Sequence, residues 1–123
     1  MRKKQEDRAV VAFTRYARYG FHRRPLTGFA MMDCIRGSTA CEEEAREMLA
    51  VYDTLRLLTY MNKREELRAI YEVYFTSRGR RLRRNDVSLR VRRFAVENYY
   101  DDRTVYRRLA RVKRLFLAVE AGL

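Results

Sequence analysis

Apolar residues recur along this chain at intervals of three and four, with little strict alternation, which is the period of helices rather than strands. Residues 5–19 place Ala9, Val10, Phe13, Tyr16 and Ala17 on one face, and Gly20 supplies the stop. Phe21–Thr27 reads as a turn around Arg24-Pro25, because the residue before a proline is pushed out of the helical region. The apolar run Phe29–Ile35 predicts a short helix closed by Gly37. Thr39-Ala-Cys-Glu42 has capping-box spacing, and Glu43 and Glu44 follow where a helix N-terminus favours negative charge. Ala45, Met48, Leu49, Tyr52, Leu55 and Thr59 then form a nearly heptad stripe. Asn62-Lys-Arg-Glu65 carries a second start signal, ahead of a helix with Leu67, Ile70, Tyr71 and Tyr74 inward. So short a separation predicts an antiparallel hairpin or an abrupt bend between the two. Asn85-Asp86 opens a helix with Val87, Val91, Phe94 and Ala95 inward, and a break spans Asn98–Asp102. The last helix, Arg103 to Ala121, buries Val105, Leu109, Val112, Phe116 and Val119. The expected fold class is all-α, a helical bundle.

Composition narrows the classes. At 123 residues and 47% hydrophobic content the chain is able to build a core, so 36% charged residues do not make it a disordered tail. No stretch approaches the roughly 20 apolar residues of a membrane span. The start MRKKQEDRAVV has a basic end, but its apolar run (Ala9 to Phe13) is short and is broken by Arg15 and Arg18. A soluble cytoplasmic protein with no membrane partner is expected. Cys34, Cys41 and His22 are too few for a structural zinc site, and the cysteines read as reduced thiols in or near the core. His22, beside two arginines, reads as solvated or phosphate-contacting. No nucleophile–base pair or Gly-rich phosphate loop is visible, so neither an enzyme nor a cofactor is expected.

Charge adds a direction. Twenty-eight Lys+Arg against sixteen Asp+Glu give a net charge of +12, and only Lys3, Lys4, Lys63 and Lys113 are lysines. Residues 1–61 hold 11 basic and 8 acidic side chains, a net of +3, whereas residues 62–123 hold 17 and 8, a net of +9. Arg78, Arg80, Arg81, Arg83, Arg84, Arg90, Arg92 and Arg93 form one cluster, and Arg103, Arg107, Arg108, Arg111, Lys113 and Arg114 a second. A field of this sign attracts any polyanion, including nucleic acid and anionic lipid.

The segment RRFAVENYYDDRTVYRRL (Arg92–Leu109) reads as two helices joined by a short turn. The small Ala95 suits a tight helix crossing, Val105 fills the angle, and Asp102 or Asp101 caps the second helix. With Val105 and Leu109 inward, Arg103, Arg107, Arg111 and Arg114 point outward, with Thr104 and Arg108 on the flanks. In a helix-turn-helix the start of the second helix enters the major groove, where arginine pairs with guanine through two hydrogen bonds.

Asp102-Arg-Thr-Val-Tyr-Arg107 resembles the start of the recognition helix in many bacterial and phage helix-turn-helix regulators. Residues 62–121 as a whole resemble the DNA-binding region of the RinA/ArpU-type phage transcriptional regulators, which is similar to region four of sigma factors. The resemblance covers only the second half, a helix-turn-helix region at 62–123; residues 1–61 match no family pattern and read as an N-terminal helical region for dimerisation, from the long Ala45–Leu55 stripe, or for partner contact, with the two free to pack as one domain. It further implies a sequence-specific duplex-DNA-binding regulator, phage- or prophage-encoded, working in the cytoplasm of a bacterial host cell. Arg103, Thr104, Tyr106, Arg107, Arg108 and Arg111 would read bases. Arg78, Arg80, Arg81, Arg83, Arg84, Arg90, Arg92, Arg93, Lys113 and Arg114 would hold phosphates. RNA polymerase is the protein partner the sigma-like resemblance implies, and a second copy of the chain is the partner the long Ala45–Leu55 stripe suggests. The alternative is a phage or mobile-element inhibitor, of the anti-CRISPR kind, whose basic face docks on a protein or ribonucleoprotein. The sequence departs from the family pattern at Asn98, where an apolar residue is expected, and at Tyr99, where glycine is usual. A left-handed conformation is costly for a bulky residue, so a longer or differently shaped turn is expected there.

Overall fold

The structure, a computed structural model, describes residues 2–76 and 85–122, with side chains from residue 8 onward. Every regular element among the described residues is helical: α1 (Arg2–Arg18), a 3-10 turn (Phe21–Arg23), α2 (Gly28–Ser38), α3 (Glu42–Tyr60), α4 (Arg64–Tyr74), α5 (Asp86–Glu97) and α6 (Asp102–Glu120). None of these helices is long and apolar enough to cross a membrane.

The helices pack because each carries an apolar stripe that only a neighbour can cover. α3 is the axle of the bundle, touching α1, α2, α4 and α6. Its buried set, which includes Met48, Val51, Thr54, Leu55 and Leu58, wraps well beyond the single heptad stripe read from the sequence. α6 inserts Val105, Leu109, Val112 and Phe116 into the same core. The core is continuous across the 61/62 boundary. Phe13 of α1 meets Phe116 edge-on at 5.4 Å between ring centroids, and Tyr74 of α4 at 5.7 Å. At the periphery Arg8 of α1 pairs with Glu120 of α6, and Arg15 with Glu47 of α3.

Helix ends depart from the sequence reading in instructive places. Thr39 starts nothing: its hydroxyl closes α2 by donating to the Ile35 carbonyl at 2.9 Å. α3 begins only at Glu42, and Glu44, not Glu42, reaches back to accept from the Ala40 amide. α2 runs through Gly37 to Ser38 and buries only Met31 and Ile35, one turn apart, which leaves Phe29 on its outer side 83% exposed. Asn62 does not cap α4. It sits in the left-handed region at φ 58° and terminates α3, with the Lys63 amide donating to the Leu58 carbonyl at 2.8 Å and the Asn62 amide to Thr59 at 3.1 Å. That pair of bonds is a Schellman closure, which satisfies the orphan carbonyls at a helix end.

Candidate nucleic-acid interface

The same closure recurs between α5 and α6. Tyr99 stands in the left-handed region at φ 60°; its amide donates to the Val96 carbonyl at 3.4 Å, and the Tyr100 amide donates to Ala95 at 2.8 Å. The bulk of Tyr99 does not keep it out of the left-handed region. The chain takes the conformation glycine would take and bears its cost, with the Tyr99 side chain 96% exposed. Asn98, the second departure from the expected pattern, donates to the Phe94 carbonyl at 2.9 Å and accepts from Arg68 at 2.6 Å, so its polarity is used.

Asp101, not Asp102, caps α6. Its Oδ1 accepts from both the backbone amide and the hydroxyl of Thr104, each at 2.8 Å. The Thr104 amide first, and then its hydroxyl, hold the Asp101 carboxyl below the usual carboxylate range. Asp102 in the first turn lies 3.8 Å from Arg92 of α5.

This frame sorts the expected contact residues. Arg103, Arg107 and Arg114 are exposed, and successive steps of about one turn put them on one side of α6 with Arg111. Tyr106 joins them at 45% exposure. Arg111 remains largely in solvent although it approaches Glu66 of α4 at 3.3 Å. Arg92 and Arg93 are exposed on α5. Four others turn toward the protein. The hydroxyl of Thr104 belongs to the cap. Arg108 is mostly covered, 3.4 Å from Glu65 and 4.2 Å above the Tyr100 ring. Arg90 donates to the Val73 carbonyl at 2.7 Å, closing the end of α4. Lys113 lies 5.8 Å from the centre of the Tyr74 ring. Arg78, Arg80, Arg81, Arg83 and Arg84 lie outside the described residues.

Sequence reasoning missed Glu65 and Glu66. Both sit on α4 more than forty positions before the arginines they meet, so no local pattern announces them. Glu66 is 7% exposed yet charged in type, an unusual burial for glutamate that only a partner such as Arg111 explains. His22 is half-buried, with its Nε2 accepting from the Arg23 guanidinium at 3.3 Å on the exposed side. It packs 5.1 Å from the Phe75 ring, and its buried Nδ1 has no hydrogen-bond partner. Burial, then the neighbouring Arg23, holds the imidazole below its ordinary value; the Phe75 backbone acts the other way and is outweighed. Cys34 and Cys41 are free thiols, Cys34 half-buried against the core and Cys41 exposed.

Compared with protein-family models, with curated proteins and with solved structures, the chain matches none of them.

Proposed function

We propose that this chain is a sequence-specific duplex-DNA-binding transcriptional regulator, with α5 and α6 acting as a helix-turn-helix. The observation that carries the reading is the row Arg103, Arg107, Arg111 and Arg114, exposed on one side of α6 while Val105, Leu109 and Val112 grip the core on the other. A helix held this way presents guanidinium forks without first paying to order itself. In this reading Arg103, Tyr106, Arg107 and Arg111 meet base edges, whereas Arg92, Arg93 and Arg114 meet phosphates. Arg90, Arg108, Lys113 and Thr104 brace the frame. The 78–84 connector adds phosphate contacts by charge alone, and a phage or prophage regulator of the RinA/ArpU type remains the family this reading proposes.

A second reading has one specific observation in its favour. Leu89, Val96 and Tyr99 are 65%, 69% and 96% exposed along the outer side of α5 and its turn, among Arg92 and Arg93. Large apolar groups interleaved with arginine also suit a protein or ribonucleoprotein target, as an inhibitor would need.

Duplex binding measured against salt tests the first reading, because log K should fall by about 0.9 per phosphate contact per decade of salt. Arg107→Ala should erase preference among sequences by about 1–3 kcal/mol, whereas Arg93→Ala should weaken all duplexes alike. Weak, salt-insensitive binding to every duplex overturns it.

A further inference from the structure

A groove of about 930 Å³ opens where the 21–31 segment, α3 and α4 converge, with Val119 of α6 also on its lining. Its apolar floor includes Tyr16, Phe21 and Met31, each of which is essentially buried. Its lining also brings large side chains to the surface: Leu26, Leu57 and Tyr71 are about two-fifths exposed, and Tyr60 is 89% exposed. Four such groups around one depression are not the scattered apolar residues of an ordinary surface. The lining is rich in aromatic residues and includes Met31, Arg24 and Arg56, but it has no lysine and no glutamate. That is the composition of the core of a protein–protein interface. The walls are set in advance. The Tyr52 hydroxyl accepts from the Gly28 amide at 2.8 Å, tying the start of α2 to α3, and the Arg56 guanidinium lies 5.6 Å from the centre of the same ring.

We infer that this groove binds an acidic amphipathic helix of a protein partner, its apolar side seated among Leu26, Leu57, Tyr60 and Tyr71 and its carboxylates facing Arg24 and Arg56. The sign follows from the lining, where two arginines outnumber the single acid, Asp53. The helical form follows from the surroundings. The described residues offer no strand edge for an extended peptide to join, whereas a groove between helices accepts apolar anchors at positions i, i+3, i+4 and i+7. A second copy of the chain is a poor occupant, since two molecules of net charge +12 repel. A small molecule is poorly enclosed, because the depression is open along one side. Val119 lies on the core-facing side of α6, turned well away from the row that ends at Arg114 five positions earlier, so this partner and a ligand on the basic row approach from different sides.

The test uses the full chain and a displayed library of random peptides about 16 residues long, enough for roughly 24 Å of helix. Selection on the wild type is followed by measurement of each synthetic winner against the double variant Arg56→Glu, Tyr60→Ala. Both positions are exposed, and an unchanged circular dichroism melt establishes that the variant folds. The expected winners carry acidic residues between large apolar ones at helical spacing, and lose affinity by about tenfold or more on the variant. Winners that bind both proteins equally, winners without acidic residues, or no enrichment at all would each overturn the inference. So would sedimentation showing a dimer that the double variant dissolves, because the groove would then be a self-interface. Duplex affinity that stays level in the variant keeps this outcome separate from the fate of the DNA-binding reading.

Discussion

The Tyr100 hydroxyl donates to Oε2 of Glu65 at 2.7 Å, and Arg108 lies over the Tyr100 ring while reaching the same oxygen at 3.4 Å. One carboxylate on α4 therefore ties down both the turn after α5 and the first half of α6. Removing the phenol in Tyr100→Phe should cost about 1 kcal/mol, in the range of a partly exposed charged hydrogen bond. A double-mutant cycle with Glu65→Gln, read from urea midpoints, should show a coupling of at least about 0.5 kcal/mol. Additive effects would mean that the three groups merely sit together.

The continuity of the core makes a prediction about the two halves. Phe116→Ala, at a fully buried position against Phe13, should cost about 3–5 kcal/mol by leaving a cavity between them. The full chain should unfold in one transition, and a fragment of residues 62–123 should show no cooperative melt, since α1 and α3 no longer cover Phe116 and Leu109. A sharp independent transition in that fragment would show that the C-terminal half has a sufficient core of its own.

Tyr99 has the left-handed backbone of a helix end and no packing for its ring. Tyr99→Gly should therefore raise stability, by up to about 1 kcal/mol once the freer unfolded chain is counted. Asn62→Gly, at the matching position of α3, should change it less, because asparagine tolerates this region. Equal changes at the two sites, followed by thermal melts, would remove side-chain bulk as the cause.

His22 is the one histidine, so its titration can be followed by NMR without assignment ambiguity. Its folded-state pKa is lowered, which means the unfolded chain takes up the proton first as pH falls. Stability should then decline as pH drops through the ordinary histidine value near 6.5 and keep declining until the folded form is also protonated. His22→Gln should flatten that slope between about pH 7 and 5. An unaltered slope would assign the decline to carboxylates instead.

What the sequence made legible is the periodic part of the molecule. The seam of α6 lies where its spacing put it, because residues three and four apart on a helix must share a face and this face is long and strongly apolar. The cap at Asp101 was readable for a similar reason, as one of two adjacent acids before a helix start. The helix ends around Thr39 and Asn62 were misread because one short polar residue can serve either to stop a helix or to start one. Which role it takes depends on where the next helix must point to find its own cover. The apolar run of seven from Phe29 to Ile35 does not say which residues face inward; Met31 and Ile35, on one face, are buried and Phe29 is exposed. Arg108 looks like a surface arginine in any local window. Only Glu65, far earlier in the chain, and Tyr100 turn it inward.

The grip on α6 fixes more than its position. With Val105, Leu109, Val112 and Phe116 all held, the helix has no freedom to roll about its own axis, so the core sets the compass bearing of the arginine row. One residue inserted between Leu109 and Val112 would swing Arg103 and Arg107 by about 100° relative to Phe116, and would carry Val105 and Leu109 off the core face with them. The direction in which this molecule presents its charge is thus written in the phase of a single buried seam.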